Sequence, residues 1–68
     1  MEKIEYEHVT AYTKLTPEQF ENALALLKLA GVGHGYGMGN PVYGNYIEVI
    51  HPGRVPQGMI DELEKLFA

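Results

Sequence analysis

Cysteine is missing from this sequence altogether, which removes disulfides, thiolate chemistry and cysteine-based zinc sites in one step and suits a reducing compartment. Basic residues are scarce: five Lys and Arg stand against nine Asp and Glu, a formal net charge of −4. A phosphate backbone is held largely by Lys and Arg, so non-specific nucleic-acid binding is disfavoured. A basic protein partner, such as one that itself binds nucleic acid, is favoured instead. The acidic residues group at Glu2, Glu5 and Glu7, at Glu18 and Glu21, and at Asp61, Glu62 and Glu64. Such runs are solvated faces or imitations of a phosphate surface. Long apolar runs are also lacking. No segment approaches the roughly 18 residues of a membrane span, and Met1-Glu2-Lys3-Ile4-Glu5 has neither the basic region nor the apolar run of a signal peptide. A cytoplasmic location without a membrane partner is therefore expected.

The chain has 68 residues, enough for one domain spanning 1–68 and little room for a deep active site. What it does have is glycine. Gly31-Val32-Gly33-His34-Gly35-Tyr36-Gly37-Met38-Gly39 places five of the eight glycines at alternate positions. Side chains alternate faces along a strand, so an extended segment here puts Val32, His34, Tyr36 and Met38 on one face and bare backbone on the other. Glycine within a strand marks a bend, a bulge or a close approach. Tight packing of a helix over the bare face, or the approach of a ligand or partner, would each account for it.

Residues 3–14 read as a first strand, with Ile4, Tyr6 and His8 alternating against Glu5 and Glu7. The phase changes after His8, where Val9 and Ala11 take the odd register; a bulge or a strand covered on both sides would explain the change. His8 reads as a half-buried strand residue. Thr16-Pro17-Glu18-Gln19 opens a helix with a cap, a first-position proline and a capping box. Phe20, Ala23, Leu24, Leu27 and Ala30 form its apolar stripe and Gly31 ends it, while Leu26 and Leu29 lie off the stripe.

Gly39-Asn40-Pro41 is turn chemistry, and residues 42–51 resume as a strand that is apolar on both sides except at Glu48, as befits a central strand. A second helix begins near Pro56, with Met59, Ile60, Leu63, Leu66 and Phe67 inward. The order strand, helix, strand, strand, helix predicts an α+β fold of two layers. Its sheet would be three-stranded and mostly antiparallel, with both helices on one face.

Known phosphate-binding devices do not fit the glycines. The dinucleotide fingerprint needs a glycine at the sixth position and a strand before it, whereas here the glycines fall only at odd spacing and follow a helix. Gly39 and Gly44 have the P-loop separation, but Asn45-Tyr46 replaces the Lys and Ser/Thr that grip phosphate and magnesium. His8, His34 and His51 lack short ligand spacing, so neither metal nor cofactor is expected. His34 stands apart: flanked by glycines and two residues from Tyr36, it is a histidine able to act as acid or base if a partner orients it. His51-Pro52-Gly53-Arg54 precedes a helix start, a place that attracts anions, although Pro56 removes one donor.

Residues Ile50-His51-Pro52-Gly53-Arg54-Val55-Pro56-Gln57-Gly58-Met59-Ile60, with Leu63 and Lys65 beyond, resemble the closing strand and helix of HicA-type toxins. That family comprises small RNA-cleaving proteins of a double-stranded-RNA-binding-like fold, with a Gly-Ser-His motif near the start of the second strand; Gly33-His34 lies about where the motif would fall. The resemblance implies that His34 is catalytic and that an antitoxin is the partner. It covers at most the C-terminal half of the chain. The motif's Ser is missing, an extra strand precedes the helix, and the family's basic surface is acidic here.

Taken together, the residues predict a small acidic, non-catalytic protein-interaction module, of the inhibitor type that phages and mobile elements encode. Its partner-binding surface is expected to combine His34, Tyr36, Met38, Tyr43 and Tyr46 with the carboxylates Glu5 and Glu7, because Tyr and Met are enriched where proteins dock. A HicA-like ribonuclease using His34, and a small-ligand binder using the glycine-rich hairpin, are the alternatives. Self-association stays open.

Overall fold

The computed structural model describes residues 1–68 and holds six elements: β1 (Glu2–Glu5), β2 (Val9–Thr13), α1 (Pro17–Ala30), β3 (His34–Asn40), β4 (Gly44–Ile50) and α2 (Gln57–Lys65). The strands form one antiparallel sheet in the order β1-β2-β4-β3. The α+β class and two helices agree with the sequence reading, but the sheet has four strands where three were expected.

The extra strand comes from the first segment. The phase change after His8 is neither a bulge nor a strand covered on both sides but a chain reversal: Ile4 pairs with Ala11 and Glu5 with Thr10, and the Tyr6 N–H donates to the Val9 carbonyl at 2.8 Å to close the hairpin. Reversal restores one apolar register, because paired residues share a face. His8 is thereby exposed at the turn, not half-buried in a strand.

Helix α1 forms as its sequence dictates. Thr16 Oγ1 accepts from the Gln19 N–H at 3.1 Å and Gln19 Oε1 accepts from the Thr16 N–H at 2.9 Å. Gly31 then stops the helix at φ +70°, a left-handed conformation that glycine adopts without steric penalty. Leu26 is half-buried against the core and Leu29 is exposed. Helix α2 begins at Pro56 without a side-chain cap, and Ile60, Leu63 and, just past its end, Phe67 turn inward with Met59 packed beside them, whereas Leu66, expected inward, is exposed where the helix ends. No helix of the structure is long and apolar enough to cross a membrane.

One core unites both helices with one face of the sheet, through Tyr12, Ile47 and Val49 from the central strands, Phe20, Ala23 and Leu27 from α1, and Ile60, Leu63 and Phe67 from the α2 segment. The ring of Tyr12 packs on Phe67 with centroids 5.0 Å apart. The fully buried Tyr12 passes its hydroxyl to Glu64 Oε2 at 2.8 Å, and Lys3 on β1 reaches the same carboxylate at 2.5 Å. An edge strand, a central strand and a helix are thus tied at one point.

Registry then decides what lies on the other face. The rows Lys3–Tyr12–Ile47–Tyr36 and Glu5–Thr10–Val49–His34 point to the helices. The row Ile4–Ala11–Glu48–Gly35 points away from them, and no layer of this chain covers it.

Candidate functional site

The glycine ladder lies on the uncovered face, opposite to the one against which the helices pack. Close helix packing over bare backbone, one of the sequence expectations, is therefore replaced by another cause. On β4 the side chains of Tyr46, Glu48 and Ile50 share the open face with the glycines and stand beside Gly37, Gly35 and Gly33 respectively. At Gly37 a Cβ would fall 2.4 Å from the Tyr46 ring, so the ring occupies the place a side chain would take. At Gly35 and Gly33 a Cβ would sit 3.6 Å from Glu48 Oε1 and 3.7 Å from Ile50 Cβ, ordinary contacts. Gly39 at φ +66° serves the turn before β4 instead.

These distances separate the glycines experimentally. Gly35→Ala is expected to stabilise the fold by about 0.5 kcal/mol, because it restrains the unfolded chain at a compatible position. Gly37→Ala should cost about 1 kcal/mol, the low end for overpacking, since the atoms that must give way belong to the Tyr46 side chain and not to backbone. Urea midpoints of the two variants would move in opposite directions; equal shifts would overturn this account of the ladder.

The open face carries a shallow depression of about 180 Å³ whose floor is the small, buried pair Ala11 and Thr13. Ile4, Tyr43, Tyr46 and Glu48 stand around it, with Tyr6 from the β1–β2 turn and Asn40 from the end of β3. The Tyr43 and Tyr46 rings meet edge to face, with centroids 6.1 Å apart and planes at 69°. Two local hydrogen bonds and one long-range one set this corner. Asn40 Oδ1 accepts from the Val42 and Tyr43 N–H groups at 2.8 and 2.9 Å, and the Tyr43 carbonyl accepts from the Lys14 N–H at 2.8 Å. Glu48 rises from the middle of the face between Ala11 and Gly35, half-buried, and it forms neither an ion pair nor a side-chain hydrogen bond within the chain.

The residues singled out from sequence therefore do not form one surface. Tyr43 and Tyr46 stand on the open face. His34 and Tyr36 are on the helix side of β3, where Tyr36 packs edge-on against Phe20 with centroids 6.0 Å apart. Met38 is exposed in the irregular stretch between Gly37 and Asn40. Glu5 also faces the helix side and pairs with Lys3 at 3.1 Å, while Glu7 is exposed at the turn beside His8. Ile4, Tyr6, Ala11, Thr13, Asn40 and Glu48, which complete the depression, are not among the residues expected from sequence. The interruption of an apolar strand by Glu48 was the available signal.

The histidines occupy three different environments. His8 is exposed at a turn, and His51 is buried with Nε2 2.9 Å from Thr10 Oγ1 and Nδ1 without a partner. His34 Nδ1 lies 2.6 Å from the Val32 carbonyl, which can only accept, so this nitrogen carries the proton and a neutral ring leaves Nε2 as an acceptor. No group of three His, Asp or Glu side chains is arranged to hold a metal ion. A second depression, about 250 Å³ between β1 and the start of α2, is larger, but its charged residues Lys3 and Glu5 already satisfy each other.

The arrangement defines a class, a small α+β domain with one helix-covered and one open, tyrosine-lined sheet face. Compared with protein-family models, with curated proteins and with solved structures, the chain matches none.

Proposed function

We propose that this chain is a non-catalytic docking module whose working surface is the open sheet face and whose partner is a basic protein. The observation that supports it is an unpaired, half-buried carboxylate at Glu48 set among Ile4, Tyr6, Tyr43 and Tyr46 on a face that nothing in the chain covers. Taking a carboxylate partly out of water costs free energy, and a cation brought by a partner offsets that cost. Tyrosine supplies large, stiff, amphipathic contact area of the kind that dominates binding energy at interfaces. The net charge of −4 adds long-range attraction for a basic surface. An inhibitor that occludes a nucleic-acid-binding protein is the form of this reading closest to the size and charge.

The experiment is affinity capture from cells of the source, with three baits matched for folding by circular dichroism. Wild type and Leu29→Glu, altered on an exposed helix position, are expected to retain the same proteins, and the double variant Tyr46→Ser with Glu48→Lys to lose them. Equal retention by all three baits would overturn the open face as the working surface.

A second reading rests on His34, whose Nδ1–H donates to the Val32 carbonyl and leaves Nε2 as the nitrogen that can exchange a proton with a substrate, as general acid–base chemistry on RNA requires. Cleavage of RNA by the wild type, abolished in His34→Ala, would replace the docking module with a HicA-like ribonuclease.

A further inference from the structure

We infer that the depression on the open face is a receptor for the guanidinium group of an arginine presented by the partner; the inference rests on the docking reading and specifies what its surface recognises. Glu48 offers two carboxylate oxygens at the rim, and no cation of this chain pairs with them. Two adjacent oxygens match the parallel N–H donors of a guanidinium, whereas an ammonium engages as a point charge. The edge-to-face packing of Tyr43 and Tyr46 leaves ring surface on which a flat cation can stack. A floor of Ala11 and Thr13 keeps the site shallow, and Gly35 leaves the β3 side of Glu48 unobstructed. Those features suit a planar group laid on the sheet better than a methylated ammonium, which needs aromatic walls on several sides. They also explain why Gly35, which no contact in the chain demands, sits beside Glu48, the unpaired carboxylate of this face, whereas Glu2, level with Thr13, is taken up by Lys14.

The test uses ¹⁵N-labelled full-length chain and three probes: the N-acetyl methylamides of arginine, lysine and citrulline, the last a neutral isostere. Arginine is expected to shift the Ala11, Thr13, Tyr46 and Glu48 amides saturably and to bind about tenfold tighter than citrulline, the difference a charge-assisted hydrogen bond makes. Glu48→Gln should weaken arginine about tenfold and leave citrulline unchanged, and Tyr46→Leu should weaken arginine about threefold through the lost ring face. Absence of saturable shifts at these amides, equal binding of citrulline, or indifference to Glu48→Gln would overturn the receptor. Lysine binding as tightly as arginine would overturn the guanidinium assignment. None of these outcomes touches the capture experiment, in which the Tyr46 and Glu48 double variant still reports whether the open face docks a protein at all.

Discussion

Leu27→Ala is expected to leave most of the chain unfolded at 25 °C. Leu27 is fully buried from the middle of α1 and belongs to the single core in which both helices meet Tyr12, Ile47 and Val49. Truncating a buried leucine removes its transfer free energy and leaves a cavity, about 2–5 kcal/mol together. A domain of this length seldom has more than about 3–5 kcal/mol in total, so the loss matches the whole stability. Urea titration followed by far-ultraviolet circular dichroism should show little native baseline for this variant. Leu29→Ala, two positions along the same helix at an 88% exposed side chain, should stay within about 0.5 kcal/mol of wild type. Similar losses at the two positions would mean that α1 presents a different face to the sheet.

The second large effect is expected from Glu64→Ala, about 1–3 kcal/mol, because it strips the fully buried Tyr12 of the acceptor for its hydroxyl. The Lys3–Glu64 pair adds little to that figure, since both side chains are about a third exposed. The same network predicts how stability follows pH. The hydrogen bonds from Lys3 and then from Tyr12 hold the Glu64 carboxyl below its ordinary value of 4.5. The folded chain therefore binds fewer protons there than the unfolded one, and stability falls as pH drops through 4.5 and below.

At the alkaline end burial, reinforced by the Glu64 bond, raises the Tyr12 phenol above its ordinary 10.0, and the Glu64 bond raises Lys3 above 10.5. Here the unfolded chain releases protons that the folded one keeps, and stability falls as pH rises past 10. Glu64→Ala should shrink both limbs, leaving at the acid end the part due to Glu2, which the Lys14 hydrogen bond holds below 4.5, and at the alkaline end the part due to Tyr12 burial. Urea midpoints at about pH 3, 7 and 11 would check this; acid and alkaline limbs unchanged in the variant would show that other groups govern both.

The proposed function depends on the same register as the fold. The pairing that sends Tyr12, Ile47 and Val49 into the core sends Ala11, Glu48 and Gly35 to the open face. A slip of one residue would bury Glu48 and expose Ile47 and Val49, so the core holds the proposed receptor in place. Of the residues proposed to dock a partner, Ala11, Thr13, Tyr46 and Glu48 lie on paired central strands and are less mobile than residues on loops, which would lower the ordering cost of binding.

By itself, the sequence determined the features that carry a recognised local signal. The capping box of Thr16 and Gln19 and the left-handed stop at Gly31 are local and present as read, and the apolar stripe of α1 is buried at Phe20, Ala23 and Leu27 but not at Ala30, which is exposed on the last turn. The turn after β3 and the central place of β4 were legible in Asn40-Pro41 and in a strand apolar on both sides. Glu7-His8, by contrast, reverses the chain without the Gly, Asn or Pro that usually mark a hairpin, so one strand was read where there are two.

Which face of the sheet the helices cover was a matter for tertiary structure alone. Alternation separates the glycines from His34 and Tyr36 but carries no sign telling which set turns toward α1. Packing supplied it: Val32 and Tyr36 go to the helix side, and the bare side of β3 makes room for Tyr46 and Glu48. The residues of the open-face depression come from segments far apart in the chain, so their convergence depends on antiparallel pairing across β1, β2 and β4, a long-range contact that no local spacing encodes.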